Sequence, residues 1–231
     1  MIRARNLIAA TAVVTLSVTF AYAGDTSHGH DGSGGQGSNS GSNIINGQIN
    51  LQSQFSNLTG TIDGVAGDAV AQSAAAGNMI DIITMNNTRV QNSQIVGPGS
   101  AIDSNVNANI SNVWGSTSVS SQALCNGASV STDPMLTSVN SYQRCDSSDP
   151  SASVKVNIDS IGGNAVVQGM ALGNSFEADT NAANMPIVSR QINNSMTTST
   201  VHANVSNIGG STSLTSSAIG NTGQIIHYSS H

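Results

Sequence analysis

The sequence predicts an all-β fold: a β-solenoid, or stacked coil, of about four 48-residue repeats that follows a disordered N-terminal tether. Three observations lead to this prediction. Phrases of sequence recur at a spacing of 48 residues, short segments alternate between apolar and polar residues, and small residues dominate the chain. Stacked repeats bury a continuous core that no single repeat can bury by itself.

The clearest repeated phrase begins with glycine and ends with asparagine, and its copies start 48, 48 and 47 residues apart. The copies occupy residues 67–78, 115–126, 163–174 and 210–221. A second phrase keeps the same steps at residues 58–66, 106–114, 154–162 and 201–209. A looser third phrase begins at Gln48, Gln94, Gln143 and Gln191. Three phrases that share one period indicate a repeat array.

The phrases are typical of β-strands. In the second phrase, Val106, Ala108 and Ile110 alternate with asparagines, which is the two-residue period of a strand with one buried face. Residues 67–78 alone would also suit a helix, but their counterpart at 115–126 is rich in Ser and Thr and poor in helix formers. Copies of one repeat should share a structure, so a strand is the better interpretation.

Stacking of the repeats would place equivalent residues above one another. The asparagines that close the first phrase should then form a ladder of side-chain amides, as in cross-β assemblies. The predicted ladder consists of Asn78, Asn126, Asn174 and Asn221. Each repeat could form one large coil or two coils of about 24 residues. We expect two small coils, because small residues and amide ladders suit a narrow core.

The start of the chain is typical of a targeting segment. A basic start, a short apolar run and an Ala-x-Ala sequence ending at Ala23 predict a secretory signal peptide over residues 1–23. An N-terminal membrane anchor is the alternative, but the apolar run is short for a membrane span. Residues 24–43 are Gly/Ser-rich and predict a flexible tether. The repeat domain then covers residues 44–231, and the mature protein is exported to an extracellular or outer-membrane-associated position.

Composition excludes several classes of protein. Ser, Asn and Gly supply 37, 26 and 24 of the 231 residues, and only 8% of the residues are charged, whereas globular domains average about 25%. An ordinary enzyme-like globule is therefore not expected. No later segment approaches 18 apolar residues, so the mature chain should lack a transmembrane helix. No cofactor or metal is predicted, because His28 and His30 in the tether lack further ligands at fixed positions.

The cationic residues are few and widely spaced in the sequence. After removal of residues 1–23, the cations are Arg89, Arg144, Lys155 and Arg190. They form no basic stripe, so neither a nucleic acid nor an anionic membrane surface is expected as a partner.

The two cysteines predict a disulfide bond. Cys125 and Cys145 are the only cysteines of the chain, and an even number in an exported protein favours pairing. Such a bond closes a loop of about 20 residues and contributes about 3 kcal/mol in the chain-entropy account. A redox-catalytic role is the alternative, but that role uses closer spacing, such as C-x-x-C, and an electropositive setting.

No catalytic motif is present, and we predict a non-enzymatic protein. The sequences H-E-x-x-H, G-x-S-x-G and G-x-x-x-x-G-K do not occur. The alternative is a polysaccharide-active, lyase-like enzyme on a β-helix scaffold. It would depend on one mixed cluster of charges, which a solvated turn also explains. This cluster comprises Arg144, Asp146, Asp149, Lys155 and Asp159.

A second alternative is an ice- or surface-binding solenoid that uses rows of threonines. Thr117 and Thr212 occupy equivalent positions, but Ala69 and Ala165 stand at the same position in the other two copies. The row is therefore broken.

The C-terminal residues form a candidate docking strand. The segment around Ile225, Ile226 and Tyr228 is apolar and prone to form a strand, and it carries no Lys or Pro that would protect an edge. It either covers the last coil or adds to the sheet edge of another chain.

The A-x-G-N closures, the Q-x-N phrases and the V-x-A-N-I-S strands resemble surface proteins of the holdfast-anchor type from stalked or budding alphaproteobacteria. More distantly, they resemble curlin-like fibre subunits. The resemblance covers residues 44–231 and implies a secreted cell-surface structural or adhesion protein. Such a protein anchors an extracellular polymer or fibre to the bacterial envelope by β-strand stacking. The expected partners are other envelope or surface proteins, further copies in a fibre, and a polysaccharide.

Overall fold

A computed structural model describes residues 42–84, 88–132, 137–147, 149–180 and 185–227. The described residues form twelve β-strands, all paired in parallel, in three four-stranded sheets. The predicted signal peptide lies outside the described residues, as does the predicted tether up to residue 41. No helical segment in the described part of the chain has the length and hydropathy needed to cross a bilayer.

Every third strand belongs to the same sheet. Sheet A contains β1 (Ser42–Asn50), β4 (Thr88–Val96), β7 (Thr137–Cys145) and β10 (Ile187–Asn193). Sheet B contains β2 (Gln54–Val65), β5 (Ile102–Val113), β8 (Ser151–Ile161) and β11 (Thr198–Ile208). Sheet C contains β3 (Ala69–Thr84), β6 (Thr117–Thr132), β9 (Ala165–Thr180) and β12 (Thr212–His227). Each coil runs through sheets A, B and C in turn, so coil 1 is β1–β3 and coil 4 is β10–β12.

Strand register follows the sequence repeat. In sheet B, Val106 of β5 is aligned with Leu58 of β2 and Val154 of β8, which lie 48 residues before and after it. These observations confirm the all-β solenoid of about four repeats. With strands about 4.8 Å apart, the fourth coil lies roughly 14 Å from the first.

The expectation of two small coils in each repeat is wrong, because one repeat forms a single coil of three strands. Each strand of sheet C has 16 residues and faces two sheets in succession. Ser73 in the first half of β3 donates to the Ser56 carbonyl of sheet B. Asn78, near the middle of β3, donates to the Ile95 carbonyl of sheet A. The coil closes only after both sheets have been covered, which requires the whole repeat.

The interior has an apolar core in three sections. In the first section, sheet B packs on the first half of sheet C. Sheet B contributes Val and Ile side chains, and sheet C contributes Ala and Val side chains. The residues of this section include Val106, Ile110 and Ile158 of sheet B and Ala71 and Val167 of sheet C. Where the three sheets meet, the core contains Val96, Ile102, Cys125, Cys145 and Ala171. The second half of sheet C packs on sheet A through Val90, Val130, Val139, Phe176 and Ala178. Parallel sheets are normally covered on a hydrophobic face, and here the three sheets cover one another.

The corner between sheets B and C uses left-handed backbone and glycine. The left-handed positions are Gly64, Asn112, Ser160 and Asn207, with φ of 69°, 52°, 60° and 52°. Glycine and asparagine adopt this conformation at low cost. Two residues after Ser160, a Cβ at Gly162 would collide with the backbone carbonyl of Trp114 in the coil below. Glycine therefore allows successive corners to approach within backbone hydrogen-bonding distance.

Candidate functional site

The four predicted asparagines lie in one column inside the solenoid and are linked by their side chains. The Nδ2 group of Asn78 donates to Asn126 Oδ1 at 2.9 Å, Asn126 donates to Asn174 at 2.7 Å, and Asn174 donates to Asn221 at 2.7 Å. Asn126 and Asn174 are fully buried. Each of the first three amides also donates to a sheet A carbonyl, at Ile95, Arg144 and Ile192. The column therefore joins neighbouring coils and ties sheet C to sheet A.

A second ladder, of glutamines, faces the first from sheet A. The residues that mark the third sequence phrase form it: Gln48, Gln94, Gln143 and Gln191. Each Nε2 group after the first donates to the Oε1 atom of the preceding glutamine at 2.9 Å. Each one also donates across the interior to a carbonyl of sheet C, for example from Gln94 to Gly127. The sequence marked these positions as equivalent, but only the facing sheets reveal their role.

The two ladders run in opposite directions. Donation in the asparagine ladder proceeds towards coil 4, so Asn221 has no further described coil to which its amide N–H groups could donate. Donation in the glutamine ladder proceeds towards coil 1, so the Gln191 Oε1 atom has no described coil above it to supply a donor. At the other end, Asn78 is left with an acceptor that no described coil extends, its Oδ1 atom. Gln48 is left with a donor that no described coil extends, its Nε2 group. Each end of the solenoid thus presents one unextended donor column and one unextended acceptor column.

In the described part of the chain, both end coils also have unpaired strand edges. At the last coil, β12 aligns Leu214 with the buried Val167 and Ile225 with the buried Ala178. Leu214 and Ile225 face the interior, yet they are 52% and 60% exposed because no described coil covers them. Ile226 follows on the outer side and is half-buried. Tyr228, the third residue of the predicted docking strand, lies outside the described residues.

The two cysteines form a disulfide bond inside the solenoid. Cys125 lies in β6 of sheet C and Cys145 ends β7 of sheet A, and both are fully buried. The bond therefore spans the interior from sheet C to sheet A. Because β6 belongs to coil 2 and β7 to coil 3, it also joins two successive coils. In coil 1, Asn50 donates to the Gly77 carbonyl at 3.1 Å and so connects sheet A to sheet C within a single coil.

Three of the four cations that follow the predicted signal peptide lie on one surface, the outer face of sheet A. Arg89, Arg144 and Arg190 occupy exposed positions on β4, β7 and β10. They share this face because the chain returns to sheet A once in every coil. The strand registers keep them apart, since Arg89 is aligned with Ser138, six residues before Arg144, so they form no continuous basic stripe. Lys155 lies on the outer face of sheet B, aligned with His202.

The structure separates the residues of the proposed lyase cluster. Arg144 forms an ion pair with Asp146 at 2.6 Å, and Asp149 accepts from the Met196 backbone N–H in the next turn. Lys155 and Asp159 lie on sheet B, beyond these turns. Among the described residues, no group of three or more His, Cys, Asp or Glu side chains is arranged to hold a metal ion.

The threonine row of the ice-binding alternative faces inward. Thr117 is aligned with Ala69 and Ala165, as the repeats indicate, but its side chain is buried. It therefore cannot contact ice or another external surface.

Carboxylates at the corner between sheets B and C link successive coils. Asp63 accepts from the Ser111 hydroxyl at 2.6 Å and the Asn112 amide at 2.8 Å. Asp159 is the equivalent carboxylate two coils after Asp63. It accepts from the Ser206 hydroxyl and the Asn207 amide of the next coil at the same two distances. These hydrogen bonds favour the ionised form, so they lower the pKa of Asp63 and the pKa of Asp159 below the ordinary aspartate value.

Fold and ladders together define a parallel β-solenoid whose coils are joined by buried amides and whose end coils are left unpaired on their outer edges by the described residues. The family model described as HfaD, Holdfast attachment protein D, matches residues 30–196. The chain belongs to the Holdfast attachment protein D family, and the resemblance to holdfast-anchor proteins is confirmed. No curated protein and no solved structure gives a significant match.

Replacing Asn126 by alanine should destabilise the protein by about 2 kcal/mol or more, because the change leaves buried polar groups of Asn78, Asn174 and sheet A without partners. The free energy of unfolding, measured by denaturant titration, tests this expectation. Asn157→Ala is the matched control. Asn157 belongs to an exposed asparagine ladder on the same solenoid, and its loss should change the free energy by less than about 0.5 kcal/mol. Equal losses would contradict a special role for the buried column.

Replacing both Cys125 and Cys145 by alanine should lower the free energy of unfolding by about 3 kcal/mol, because the unfolded chain is no longer cross-linked. Denaturant titration with and without dithiothreitol measures the effect. Reductant should destabilise the wild-type protein to a similar degree and leave the double variant unchanged. A double variant as stable as the oxidised wild type would contradict the expectation.

Acid should weaken the corner between sheets B and C. The folded-state pKa values of Asp63 and Asp159 are lowered, so their contribution is complete above the unfolded pKa of about 4 and is lost as the pH falls through the folded values. Thermal unfolding between pH 7 and pH 2.5 measures this dependence. An Asp63→Asn/Asp159→Asn variant should lose less stability than the wild type over that interval. An identical pH profile for both proteins would show that these carboxylates are uninvolved.

Proposed function

We propose that this chain is a secreted cell-surface structural protein that anchors the holdfast, an extracellular adhesive polymer, to the bacterial envelope. It acts by stacking its open coil ends on further β-coils. The observation that carries the proposal is the pair of oppositely directed amide ladders, each of which ends at an uncovered coil. Family membership supports the attachment role. The buried disulfide supports an exported location, because such bonds persist in oxidising compartments.

The two ends of the solenoid are chemically complementary, which favours head-to-tail stacking of copies. When coil 1 of one copy continues the register of coil 4 of another, Asn221 can donate to the Asn78 Oδ1 atom of the next copy. In the same arrangement, Gln48 of that copy donates to the Gln191 Oε1 atom. Both ladders then continue without reversing any amide. Coil 4 also offers three parallel strand edges, whose backbone groups pair with a new coil in the same way as inside the solenoid.

The same register buries the exposed interior of coil 4. Ile82 lies in the column that ends at Ile225, and Ala71 lies in the column that ends at Leu214. In a stack, Ile82 and Ala71 of the next copy cover these two side chains. Full burial of a Leu or Ile side chain contributes about 1.5–3 kcal/mol, so apolar contact adds to the backbone pairing.

The candidate docking strand becomes one part of a larger docking edge in this proposal. Ile225 faces the stacking interior and Ile226 faces outward. The edge of β12 acts together with those of β10 and β11, so the partner contributes a complete coil rather than a single strand. An envelope protein with exposed parallel edges would occupy one end of such a stack and hold the polymer-bearing copies at the surface.

Replacing Ile225 by lysine should abolish stacking, because the next coil would bury an unpaired ammonium group at a cost of several kcal/mol. Sedimentation velocity of the exported full chain should show monomers where the wild type forms oligomers. Cells that make only this variant should release holdfast polymer into the medium. Circular dichroism checks that the fold is retained.

Gln224→Lys is the matched control for this experiment. It adds the same charge at the neighbouring, outward-facing position of β12 and should leave both assembly and polymer retention unchanged. Assembly and polymer retention by Ile225→Lys at the wild-type level would overturn the proposal.

A further inference from the structure

Charge on the solenoid surface is strongly segregated. The chain contains twelve acidic and six basic residues, yet none of the four strands of sheet A contains a carboxylate. Their outer face carries Arg89, Arg144 and Arg190. Elsewhere, the second half of sheet C carries Asp81, Glu177 and Asp179 at outward-facing positions. An acidic polymer is therefore repelled by sheet C and attracted by sheet A.

Two arginines and a tyrosine form a patch near the centre of this face, here called the arginine–tyrosine patch: Tyr142, Arg144 and Arg190. The Arg190 guanidinium carbon lies 5.9 Å from the centroid of the Tyr142 ring, within range of a cation–π contact. Arg144 lies two residues after Tyr142 on the same face of β7, and its side chain is 45% exposed. The ion pair from its Nε atom to Asp146 orients the guanidinium group.

Aliphatic side chains surround the patch on the outer face of sheet A. Ile95 and Ile192 flank Arg144 on the two neighbouring strands, and the exposed residues Ile49 and Val188 extend the surface towards the two end coils. The face thus combines planar cationic donors, one aromatic ring and apolar area. Guanidinium groups bind carboxylates through paired hydrogen bonds, and the C–H face of a sugar ring packs on aromatic and aliphatic side chains.

We propose that the outer face of sheet A is a binding surface for a carboxylate-bearing polysaccharide, with Arg190 and Arg144 contacting the uronate groups and Tyr142 supporting a sugar ring. This inference rests on the proposed anchoring function and identifies the part of the solenoid that holds the polymer. The open coil ends remain available for stacking, because the outer face of sheet A lies perpendicular to them. A stack of copies would repeat the patch along one side, so many weak contacts would act on one polymer chain.

A carboxylated polysaccharide fits this face better than an anionic membrane does. Each basic residue near an anionic bilayer contributes only about 1 kcal/mol, and three are present. Stable membrane attachment further requires a projecting apolar element that enters the bilayer. The isoleucines here belong to strands of a sheet and alternate with polar rows, which suits an extended chain that lies across the strands.

Affinity electrophoresis of the exported full chain through gels that contain polygalacturonate tests the proposal. The wild-type protein should be retarded by polygalacturonate and not by neutral dextran. Arg190→Gln should raise the apparent Kd for polygalacturonate by roughly tenfold, because a charge-assisted contact is lost. Lys155→Gln is the matched control, since it removes the same charge from the outer face of sheet B and should change the Kd by less than about twofold.

Three results would overturn the proposal. The first is equal retardation of the wild type and Arg190→Gln, and the second is an equal effect of Lys155→Gln. The third is binding to phosphatidylglycerol vesicles that depends on Arg190 without any retardation by polygalacturonate, which would assign the face to a membrane. Thermal unfolding of each variant checks that the fold is retained.

A cell experiment separates this inference from the proposed function. Cells that lack the protein should release their polymer, and cells that make only Arg190→Gln should release it while the protein still forms oligomers. Normal polymer retention without the protein would refute the anchoring function itself. Polymer release by the deletion strain together with full retention by Arg190→Gln would refute only the role of sheet A.

Discussion

Parallel pairing of each strand with its equivalent in the next coil is the constraint on which the structure depends. Once Val106 lies above Leu58 and below Val154, every other position of the repeat is also placed above its counterpart. Backbone hydrogen bonds then run along the stack at all three sheets. Interior columns of identical polar residues become useful, because an amide side chain is both a donor and an acceptor and can satisfy its counterpart in either direction.

This arrangement explains how a chain with few large apolar residues maintains a solid interior. The two amide ladders occupy the space where sheet C faces sheet A, and every buried amide in them has partners both along and across the stack. Buried polar groups are costly only when they lack partners. Apolar residues are concentrated in the section between sheets B and C, where Ile110 and Ile158 are almost fully buried. Polar and apolar side chains thus occupy separate columns along the stack, instead of forming an apolar centre surrounded by a polar shell.

The architecture separates two kinds of surface by direction. Along the stack, the described end coils present strand edges and ladder ends, which are identical in kind to the groups paired inside the protein. Perpendicular to the stack, the protein presents outer side chains, which the repeat leaves free to vary. The row at Gly47, Ser93, Tyr142 and Arg190 shows this freedom, since four different residues occupy equivalent positions. In the proposed function, assembly and polymer contact would therefore use different surfaces.

Sequence alone determined the features that depend on residues being equivalent. The 48-residue period, the strands with one buried face and the pairing of the two cysteines all follow from spacing and residue type, as does the position of the asparagines in one column. These features depend on local patterns that every copy repeats. The equivalence of the four glutamine positions follows from the same repetition. Their hydrogen-bonding role in the interior does not.

The number of strands that complete a coil, and the surfaces that the coil creates, depend on contacts between sheets that no sequence pattern contains. The expectation of two small coils was wrong because the alternation of apolar and polar residues indicates which face of a strand is buried but not which sheet covers that face. Sheet C is long enough to face two sheets. The common face of Arg89, Arg144 and Arg190 cannot be predicted from the sequence, because they occupy different positions of the repeat and share a face only when the chain returns to sheet A. The opposite directions of the two ladders are likewise a property of facing sheets. A linear pattern specifies which residues are equivalent, whereas contact between sheets depends on where each strand turns.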